Sequence, residues 1–519
     1  MPHLTKSRYL SGLQCHRRLW LATRTPELAS PRSDATEHIL RMGTEVGRAA
    51  HALFPGGMLI SSQASDHADA IEHTRAAMDD PSIPAIFEAA FEFAEVRIRV
   101  DILERLEDGG WGLREVKSAS SFKPDQHGPD LAIQLWVLEQ LGIAVVSVQL
   151  VHINSDFVLG AAGETLESIG GILEAVERMA EASIADLNAL AAAIDWPDFF
   201  VRVDLADRLA ASSPDELSAD VAAMHATLVL PSAPARDPGA FCKKPHRCPF
   251  WEHCTRDKPP TWFVEQSGHK PALKRRMIDV ISTGRPWTSG TLGQECARFQ
   301  PPVWALDFEA IAPAIPFYPG TRPYQAVVFQ WSLDRWSGAG TSSVSANPAG
   351  ARIGNGFAGE EIEHFEFLAP GDRDPRPEAA RTLAAALSRD GAPILVYSSY
   401  ERRCLNDLAT RSPELAPALR AIESRLVDLH PIVKQHIYRP EFCVSFSIKT
   451  VGPALAPEIA YDDLPGVADG MSALATFVQI ATGVILGDEA RRARVGLLAY
   501  CARDTRALIG VARALLASS

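Results

Sequence analysis

Four of the eight cysteines form a pattern that limits how the first half of the chain can fold. Cys242, Cys248 and Cys254 are spaced six residues apart, and Cys15 lies far upstream near the N-terminus. Eight cysteines are few for 519 residues, so the pattern does not indicate a disulfide framework. Soft thiolates at short spacing suit either zinc or an iron–sulfur cluster. If all four bind one such group, the N-terminal segment must fold against the middle of the chain.

Length and charge restrict the class of protein further. A chain of 519 residues predicts two or three domains, and 46% hydrophobic with 22% charged residues is typical of a globular protein. The net charge of −13 argues against a surface coated with phosphate-binding groups, although a local basic groove remains compatible with it. No uncharged apolar run of about 18 residues occurs, so we expect no membrane span. The polar N-terminus lacks a signal-peptide core, which predicts a cytoplasmic protein.

Hydrophobic periodicity predicts a mixed α/β chain with three regions. We expect a first domain over residues 1–260, a basic connector over 261–300 and a second α/β domain over 301–519. Predicted helices of the first domain are 37–53, 130–141 and 166–192, its predicted strands are 94–104, 110–117 and 145–153, and residues 196–240 read as mainly helical. In the second domain we predict strands at 303–308, 329–333 and 394–397 and helices at 401–408 and 496–516.

The first group of candidate site residues lies around a predicted strand pair. Glu115 and Lys117 are two apart, so they share one face of a strand, and Asp101 on the preceding strand can meet them. Two carboxylates can hold a divalent metal, and a lysine can orient or deprotonate the attacking water. Taken alone, such a triplet is usually a solvated strand edge. His51 lies upstream, where a structural histidine is the ordinary interpretation, and Gln134 lies downstream on a helix that can reach a metal-bound phosphate.

The order of these residues resembles the RecB-like branch of the PD-(D/E)XK nuclease superfamily. The resemblance implies a restriction-endonuclease-like fold and hydrolysis that depends on Mg²⁺ or Mn²⁺. It implies metal ligation by His51, Asp101 and Glu115, and catalytic roles for Lys117 and Gln134. Members of this branch often carry Gln-x-x-x-Tyr, whereas this chain has Leu138 at the last position, which leaves the DNA-contacting role of that tyrosine unfilled.

The cysteine pattern is similar to the iron–sulfur staple of RecB-like nucleases, including the AddB helicase–nuclease subunit and the CRISPR-associated exonucleases. This resemblance implies a [4Fe–4S] cluster on Cys15, Cys242, Cys248 and Cys254 that ties the first helix to the end of the first domain. Zinc remains the alternative, with His246 and His253 as possible substitute ligands. The other cysteines read as ordinary core or surface thiols: Cys296, Cys404, Cys443 and Cys501.

A second group of acids spans the C-terminal region. Asp307 and Glu309 are two apart at the end of an apolar strand, and Tyr500 and Asp504 lie one helical turn apart. Two-metal phosphodiester hydrolysis needs several carboxylates that converge on ions about 3.5–4 Å apart, and a tyrosine can orient the attacking water. Each short pattern by itself is more often a surface feature. Glu401, between the two pairs, is a further acid.

Together these motifs resemble the DEDD exonucleases of the RNase H-like fold, in the tyrosine variant. The middle acid of that family is typically an aspartate after an asparagine and an aromatic residue. Here Glu401 takes that place as the third acid, and Asp428 is the other candidate. The segment 316–324 with 329–332, and the segment 445–449, look like a bacterial group known only as a domain of unknown function. Lys449, in the second segment, either contacts phosphate or is an exposed loop lysine.

These resemblances imply a metal-dependent nuclease that acts on DNA, on single-stranded ends or flaps, in repair or defence. The expected partner is nucleic acid, without a membrane, and no motif names a protein partner. Two alternatives stay open. One is an RNA exonuclease that works through the C-terminal domain, since nothing here reads a 2′-hydroxyl. The other is a nucleic-acid-binding scaffold whose catalytic sites have decayed.

Overall fold

The computed structural model describes residues 3–60, 67–160, 194–205, 213–316, 318–339, 360–459, 461, 470–481 and 483–519. Over these residues the protein is mixed α/β, as the sequence predicts. The chain folds into two compact units. Unit 1 comprises Met1–Asp257 and Ala314–Tyr324, and unit 2 comprises Lys258–Pro313 and Gln325–Ser519.

The strands and helices of the described residues have the following bounds. The strands are β1 (Leu4–Thr5), β2 (Met58–Leu59), β3 (Ala85–Phe93), β4 (Val96–Arg105), β5 (Trp111–Lys117), β6 (Val145–Ile153), β7 (Phe200–Asp204), β8 (Trp287–Thr288), β9 (Val303–Ile311), β10 (Val327–Ala339), β11 (Glu360–Leu368), β12 (Ile394–Val396), β13 (Leu426–Asp428) and β14 (Ile437–Tyr438). The α-helices are Lys6–Gln14, His16–Arg24, Asp34–Ala49, His67–Asp79, Pro124–Gln140, Trp196–Phe199, Pro214–Leu228, Trp251–Thr255, Pro260–Glu265, Pro271–Thr283, Leu292–Cys296, Arg376–Leu387, Tyr400–Arg411, Ala416–Glu423, Leu429–His436, Ile448–Leu455, Gly470–Ala481 and Gly487–Ala517. Short 3₁₀ helices cover Pro26–Leu28, Ala50–Leu53, Ala240–Lys243, Ala297–Phe299 and Pro440–Phe442.

The sheet of unit 1 has the order β2-β3-β4-β5-β6-β7, with β1 beside β4. Strands β4 and β5 form an antiparallel pair, and Gly109 supplies the positive φ of 84° that their connection needs. Strand β6 runs parallel to β5 and is reached through the helix Pro124–Gln140. Apolar side chains of this helix, Leu131 and Val137 among them, pack into the same core as the sheet. The helix thereby lies against the strands that carry the first group of candidate residues.

The sheet of unit 2 has the order β11-β10-β9-β12-β13. The first three strands pair antiparallel, whereas β12 runs parallel to both β9 and β13. Alternate side chains of the central strand β9 enter different cores. Leu306 packs with the helices Arg376–Leu387 and Tyr400–Arg411, and Ala305 packs with the helix Gly487–Ala517. Layers on both faces therefore hold the strand that carries Asp307 and Glu309.

Most of the elements predicted from periodicity are confirmed. The helix predicted at 37–53 consists of Asp34–Ala49 followed by the 3₁₀ turn Ala50–Leu53. The helix predicted at 166–192 lies outside the described residues. The prediction that 196–240 is mainly helical is wrong at β7, because Phe200–Asp204 pairs antiparallel with β6 and satisfies its backbone groups there.

The segment 261–300, predicted as a basic connector, contributes to the core of unit 2. Val264, Met277 and Val280 are buried there, because these apolar residues face inward on helices whose charged residues face outward. The segment Ala314–Tyr324 belongs to unit 1, although strands of unit 2 precede and follow it in the chain. None of the described helices is long and apolar enough to cross a membrane.

Candidate active sites

Two carboxylates and two lysines form a compact cluster in unit 1. Lys117 Nζ lies 2.5 Å from Glu115 Oε1 and 2.6 Å from Asp130 Oδ2. Lys6 Nζ, on the first helix, lies 3.2 Å from Glu115 Oε1 and 3.4 Å from Asp130 Oδ1. Glu115 is fully buried, so these ion pairs compensate charge that water does not reach. The sequence analysis missed both Lys6 and Asp130.

Asp101 joins this cluster from the neighbouring strand. Its Oδ2 accepts a hydrogen bond of 2.8 Å from the backbone nitrogen of Val116 on β5. Burial and the nearby Glu115 raise the pKa of Asp101 to about 7, against the opposing effect of the two lysines. Burial would also raise the pKa of Glu115, but Lys117 and Lys6 hold that pKa below its ordinary value. The structure thus brings Asp101, Glu115 and Lys117 together, and it shifts the pKa values of the two acids in opposite directions.

Gln134 also belongs to this cluster, because its side chain binds the carboxylate of Glu115. Its Nε2 donates hydrogen bonds of 2.7 Å to Glu115 Oε2 and of 3.1 Å to the backbone oxygen of Asp130. Its Oε1 is buried and has no hydrogen-bond partner among the residues that the structure describes. A buried carbonyl without a donor is costly, so we expect a bound water or ligand to donate to it.

His51 lies on the 3₁₀ turn Ala50–Leu53, and its ring stacks on Phe87 with the centroids 3.9 Å apart. Burial, together with the positive charge of Arg48, lowers the pKa of His51 to about 4. The imidazole is therefore neutral near pH 7, as a metal ligand must be. Within the described part of the chain, His51 forms no hydrogen bond or ion pair with Asp101 or Glu115. Its metal-binding role stays a prediction.

The four predicted cysteines line one cavity of unit 1. The volume of that cavity that a water-sized molecule can occupy is about 20 Å³. Gln14 closes it from one side by donating hydrogen bonds of 2.8 Å to the backbone oxygens of Phe241 and His246. The backbone nitrogen of Cys248 donates to the oxygen of Cys242 at 2.8 Å and shapes the other side. Arginine and aromatic side chains complete the lining: Arg17, Arg18, Arg236, Phe241, Phe250 and Trp251.

The spacing of the sulfurs bears on which group fits this cavity. The cysteines are not among the groups of three or more ligand atoms that lie within 4.8 Å of one another in the described residues. Tetrahedral zinc, with Zn–S distances of about 2.3 Å, holds its sulfurs about 3.8 Å apart. Burial raises the pKa of Cys248, while Arg18 favours its thiolate. Four cysteine sulfurs that line one cavity form a soft donor set, the kind that holds either zinc or an iron–sulfur cluster.

In unit 2, three predicted acids converge. One carboxylate oxygen each from Asp307, Glu309 and Asp504 lies within 4.8 Å of the other two. The first two acids come from β9 and the third from the helix Gly487–Ala517, which packs on that strand. Burial raises the pKa of Asp307 well above its ordinary value, and Asp504, Glu309 and Glu401 raise it further. Carboxylates this close together repel one another, and a hard divalent cation bound between them would relieve that repulsion.

Glu401 lies on the first turn of the helix Tyr400–Arg411 and lines the same cavity as Asp307 and Asp504. The volume of the cavity that water-sized molecules can occupy is about 520 Å³. Ser398 Oγ donates a hydrogen bond of 3.2 Å to Glu401, and burial raises the pKa of Glu401 to about 7. The other candidate, Asp428, instead caps the helix Leu429–His436 by accepting from the backbone nitrogen of His430. The structure therefore places Glu401, not Asp428, on the cavity.

Two tyrosines flank Asp504. Tyr461 donates a hydrogen bond of 2.6 Å from its hydroxyl to Asp504 Oδ1. Tyr500 is 2% exposed, and burial and then Asp504 raise its pKa, so that it stays a neutral phenol. Lys449 Nζ lies 4.9 Å from the centroid of the Tyr500 ring. The sequence analysis missed Tyr461, because 43 residues separate it from Asp504.

Cys501 is a further neighbour of the acids. Its Sγ lies 3.3 Å from Asp307 Oδ2. Cys501 is three residues before Asp504, so it shares a helix face with that acid, and this spacing was a signal that the sequence analysis did not use. Its thiol holds Asp307 in place without adding charge.

A buried polar network holds the helix turn that carries Asp504. Asp334 on β10 is fully buried and contacts His364 Nδ1 at 2.9 Å, Thr505 Oγ1 at 2.9 Å and Arg506 Nε at 2.8 Å. Burial alone would lower the pKa of His364, but its hydrogen bonds to Asp334 and Glu366 raise that pKa to about 9. The two residues after Asp504 are thereby fixed to the sheet, which positions its carboxylate.

Comparison with known proteins covers part of this arrangement. A family model described as "Domain of unknown function (DUF2779)" matches residues 304–447. The match includes Asp307, Glu309 and Glu401 but ends before Tyr500 and Asp504. Comparison with curated proteins and with solved structures finds no match.

Proposed function

We propose that the protein is a metal-dependent nuclease that hydrolyses phosphodiester bonds of single-stranded DNA, with one candidate active site in each unit. The observation that carries the proposal is the convergence of Asp307, Glu309 and Asp504, whose ligand oxygens lie within 4.8 Å of one another. Glu401 adds a fourth carboxylate on the same cavity. Cellular roles in DNA repair or in defence are compatible with this activity.

The folds of the two units support this proposal in finer detail. In unit 2, β9 carries two acids, the helix after β12 carries the third and the final helix carries the fourth, which supports an RNase H-like exonuclease domain. In unit 1, the antiparallel pair β4–β5 and the parallel strand β6 surround Asp101 and Glu115, which supports a PD-(D/E)XK nuclease domain.

The residues of the unit 2 site have different roles in the proposed hydrolysis. Mg²⁺ or Mn²⁺ ions on the four carboxylates would activate water and stabilise the leaving oxygen. Asp307 is positioned for this role by Cys501, and Asp504 by Tyr461. Tyr500, kept as a neutral phenol, donates a hydrogen bond to Asp504, and its hydroxyl oxygen would accept a hydrogen bond from the attacking water and orient it. Lys449, above the Tyr500 ring, places a positive charge where the phosphate of the substrate is expected.

In unit 1, the lysines already balance part of the acidic charge. Asp101, Glu115 and Asp130 face Lys6 and Lys117, so these three acids are only partly compensated by the two lysines, and Glu88 lies close enough to add to the negative charge at Asp101. The donor set fits a divalent cation if one ammonium group moves away from Glu115. Lys117 then orients water or phosphate, and the unpaired Oε1 of Gln134 accepts from a bound water.

For the cysteine cavity we propose a [4Fe–4S] cluster with a structural role, with zinc as the alternative. Its ligands come from the junction of the first two helices, at Cys15, and from the segment 242–254. A group bound there joins parts of the chain that are more than 200 residues apart. We assign the cluster no part in hydrolysis.

A nuclease assay with matched variants tests the proposal. End-labelled single-stranded and duplex DNA and RNA are incubated with Mn²⁺ or with EDTA, in protein purified without air. Lys117→Ala reports on unit 1 and Asp504→Ala on unit 2. Lys123→Ala and Asp488→Ala are the controls, because both positions are exposed and lie near the tested residues in sequence or on the same helix. We expect degradation that requires metal and that is lost in either or both test variants but not in the controls.

The other outcomes separate the alternatives. Degradation of RNA alone, dependent on Asp504, would replace DNA by RNA as the substrate and assign the activity to unit 2. Absence of degradation on every substrate, with metal present and the cysteine-bound group intact, would overturn the nuclease proposal in favour of a binding scaffold.

A further inference from the structure

The segment Ala314–Tyr324 is built into unit 1 by backbone pairing. Gly320 donates a hydrogen bond of 2.9 Å from its backbone nitrogen to the oxygen of Leu159. Leu159 donates in return to the oxygen of Thr321 at 3.0 Å. These two bonds tie Leu159 to the turn Tyr318–Thr321, which is closed by a bond of 3.1 Å from the Thr321 nitrogen to the Tyr318 oxygen.

Side-chain burial holds the same segment in place. Ile315 and Thr321 are each 2% exposed, and Tyr318 is 1% exposed. The chain therefore crosses unit 1 as a packed segment, and its last residues have a defined position relative to that unit.

Tyr324, at the end of the segment, lies beside the strand end that carries Lys117. Its hydroxyl is 2.9 Å from Ser118 Oγ, and Ser118 directly follows Lys117. The backbone of Tyr324 has a φ of 59°, in the left-handed region that non-glycine residues rarely adopt. Such strain persists where the surroundings hold a side chain in one place, and it is frequent at functional sites. The ring itself is only half-buried.

We infer that Tyr324 is a substrate-contacting residue of the unit 1 site, where its ring stacks on a base of a single-stranded nucleic acid. An aromatic ring can stack on any of the bases. The bond to Ser118 fixes the ring before the substrate binds, so little side-chain conformational entropy is lost on binding. The inference rests on the proposed nuclease function of unit 1.

The first test is kinetic and uses the full chain with unit 2 silenced by Asp504→Asn. The substrate is a fluorescent single-stranded oligothymidylate. Tyr324→Gly removes the ring and tolerates the positive φ, so it is expected to raise KM about tenfold, the loss of roughly one stacked base, with kcat little changed. Tyr324→Phe keeps the ring but loses the bond to Ser118, so its KM is expected to rise less than that of Tyr324→Gly.

A matched control and a stability measurement exclude a merely structural effect. Tyr318→Phe alters the same segment at a position too buried to reach substrate, so its KM is expected to equal that of the parent. Thermal unfolding of each variant shows whether the segment still packs. A structural role for Tyr324 would lower the unfolding temperature and kcat together and would not produce a selective change in KM.

The second test does not depend on activity. The wild-type chain, in EDTA, is irradiated with a single-stranded oligonucleotide that carries 5-iodouracil, and the crosslinked peptides are identified by mass spectrometry. We expect a crosslinked peptide that contains Tyr324.

The outcomes distinguish this inference from the proposed function. If Lys117→Ala abolishes activity in the silenced background, while Tyr324→Gly keeps its KM and no crosslink forms at Tyr324, the inference is wrong and the nuclease proposal stands. If no activity depends on Lys117, the nuclease proposal fails for unit 1. The crosslink then decides alone: its presence at Tyr324 supports a nucleic-acid contact, and its absence overturns the inference.

Discussion

Tyr461 donates a hydrogen bond of 2.6 Å from its phenol to Oδ1 of Asp504 in the candidate site of unit 2. Burial raises the pKa of Asp504, and the hydrogen bond from Tyr461 opposes that shift. The bond therefore favours the ionised carboxylate that a metal ligand requires, at a position where burial alone disfavours it.

Replacing Tyr461 by phenylalanine removes this donor. A hydrogen bond to a charged group contributes about 1.5–3 kcal/mol, so we expect the Asp504-dependent nuclease rate to fall by roughly ten- to a hundredfold. Because Asp504 then needs a higher pH to ionise, the acidic limb of the pH–rate profile should move to higher pH. Steady-state assays across pH measure both effects. Tyr438→Phe is the control, since it removes a buried hydroxyl that donates to the backbone of Cys443. An unchanged rate and pH profile for Tyr461→Phe would show that the hydrogen bond from Tyr461 does not support the activity of this site.

Lys6→Met is expected to destabilise unit 1 when no metal is present. It removes a cation between Glu115 and Asp130, and breaking such a buried pair costs about 3–5 kcal/mol. Without that ammonium group a divalent cation has less competition, so Mn²⁺ should raise the unfolding temperature more in the variant than in the wild type. Thermal unfolding with Mn²⁺ and with EDTA provides the comparison, with Lys123→Ala as the control. Equal Mn²⁺ effects in all three proteins would argue against a metal site there.

Cys15→Ser tests the cysteine cavity. We expect loss of the brown colour and of bound iron and sulfide in protein purified without air, together with a fall of several degrees in unfolding temperature. Each kilocalorie lost corresponds to about 2–4 °C for a domain of this size. Cys443→Ser changes a cysteine away from the cavity and should retain the bound group. Zinc without sulfide in the wild type would instead select the zinc alternative.

The stability of unit 2 should decrease as the pH rises above neutrality. His364 has a folded-state pKa of about 9, above its ordinary value of 6.5, so its charged form is the one that the fold stabilises. That contribution is fully present below pH 6.5 and is lost as the pH rises through 9. It amounts to about 3 kcal/mol at most. Chemical unfolding at pH 6 and pH 9.5 should show the decrease in wild type and a smaller one in His364→Gln. An identical decrease in both proteins would assign it to other groups.

The elements that bear the site residues could be predicted because local patterns specify them. Alternating residues predicted the strand of Glu115 and Lys117, and the one-turn spacing of Tyr500 and Asp504 predicted their shared helix face. Glu401 was also predicted as the third acid, and it lines the cavity of the unit 2 site, whereas Asp428 caps a helix.

What the sequence by itself determined was therefore the α/β class, the strands and helices, and which acids, lysines and cysteines were worth examining. Only the tertiary structure decided which residues meet. Lys6 lies 109 positions from Glu115, and Tyr461 lies 43 positions from Asp504, so no local spacing connects either pair. The same holds for the segment Ala314–Tyr324, whose membership of unit 1 depends on Leu159. Periodicity shows which face of its own helix or strand a residue lies on, whereas contacts between distant elements depend on how the whole chain packs.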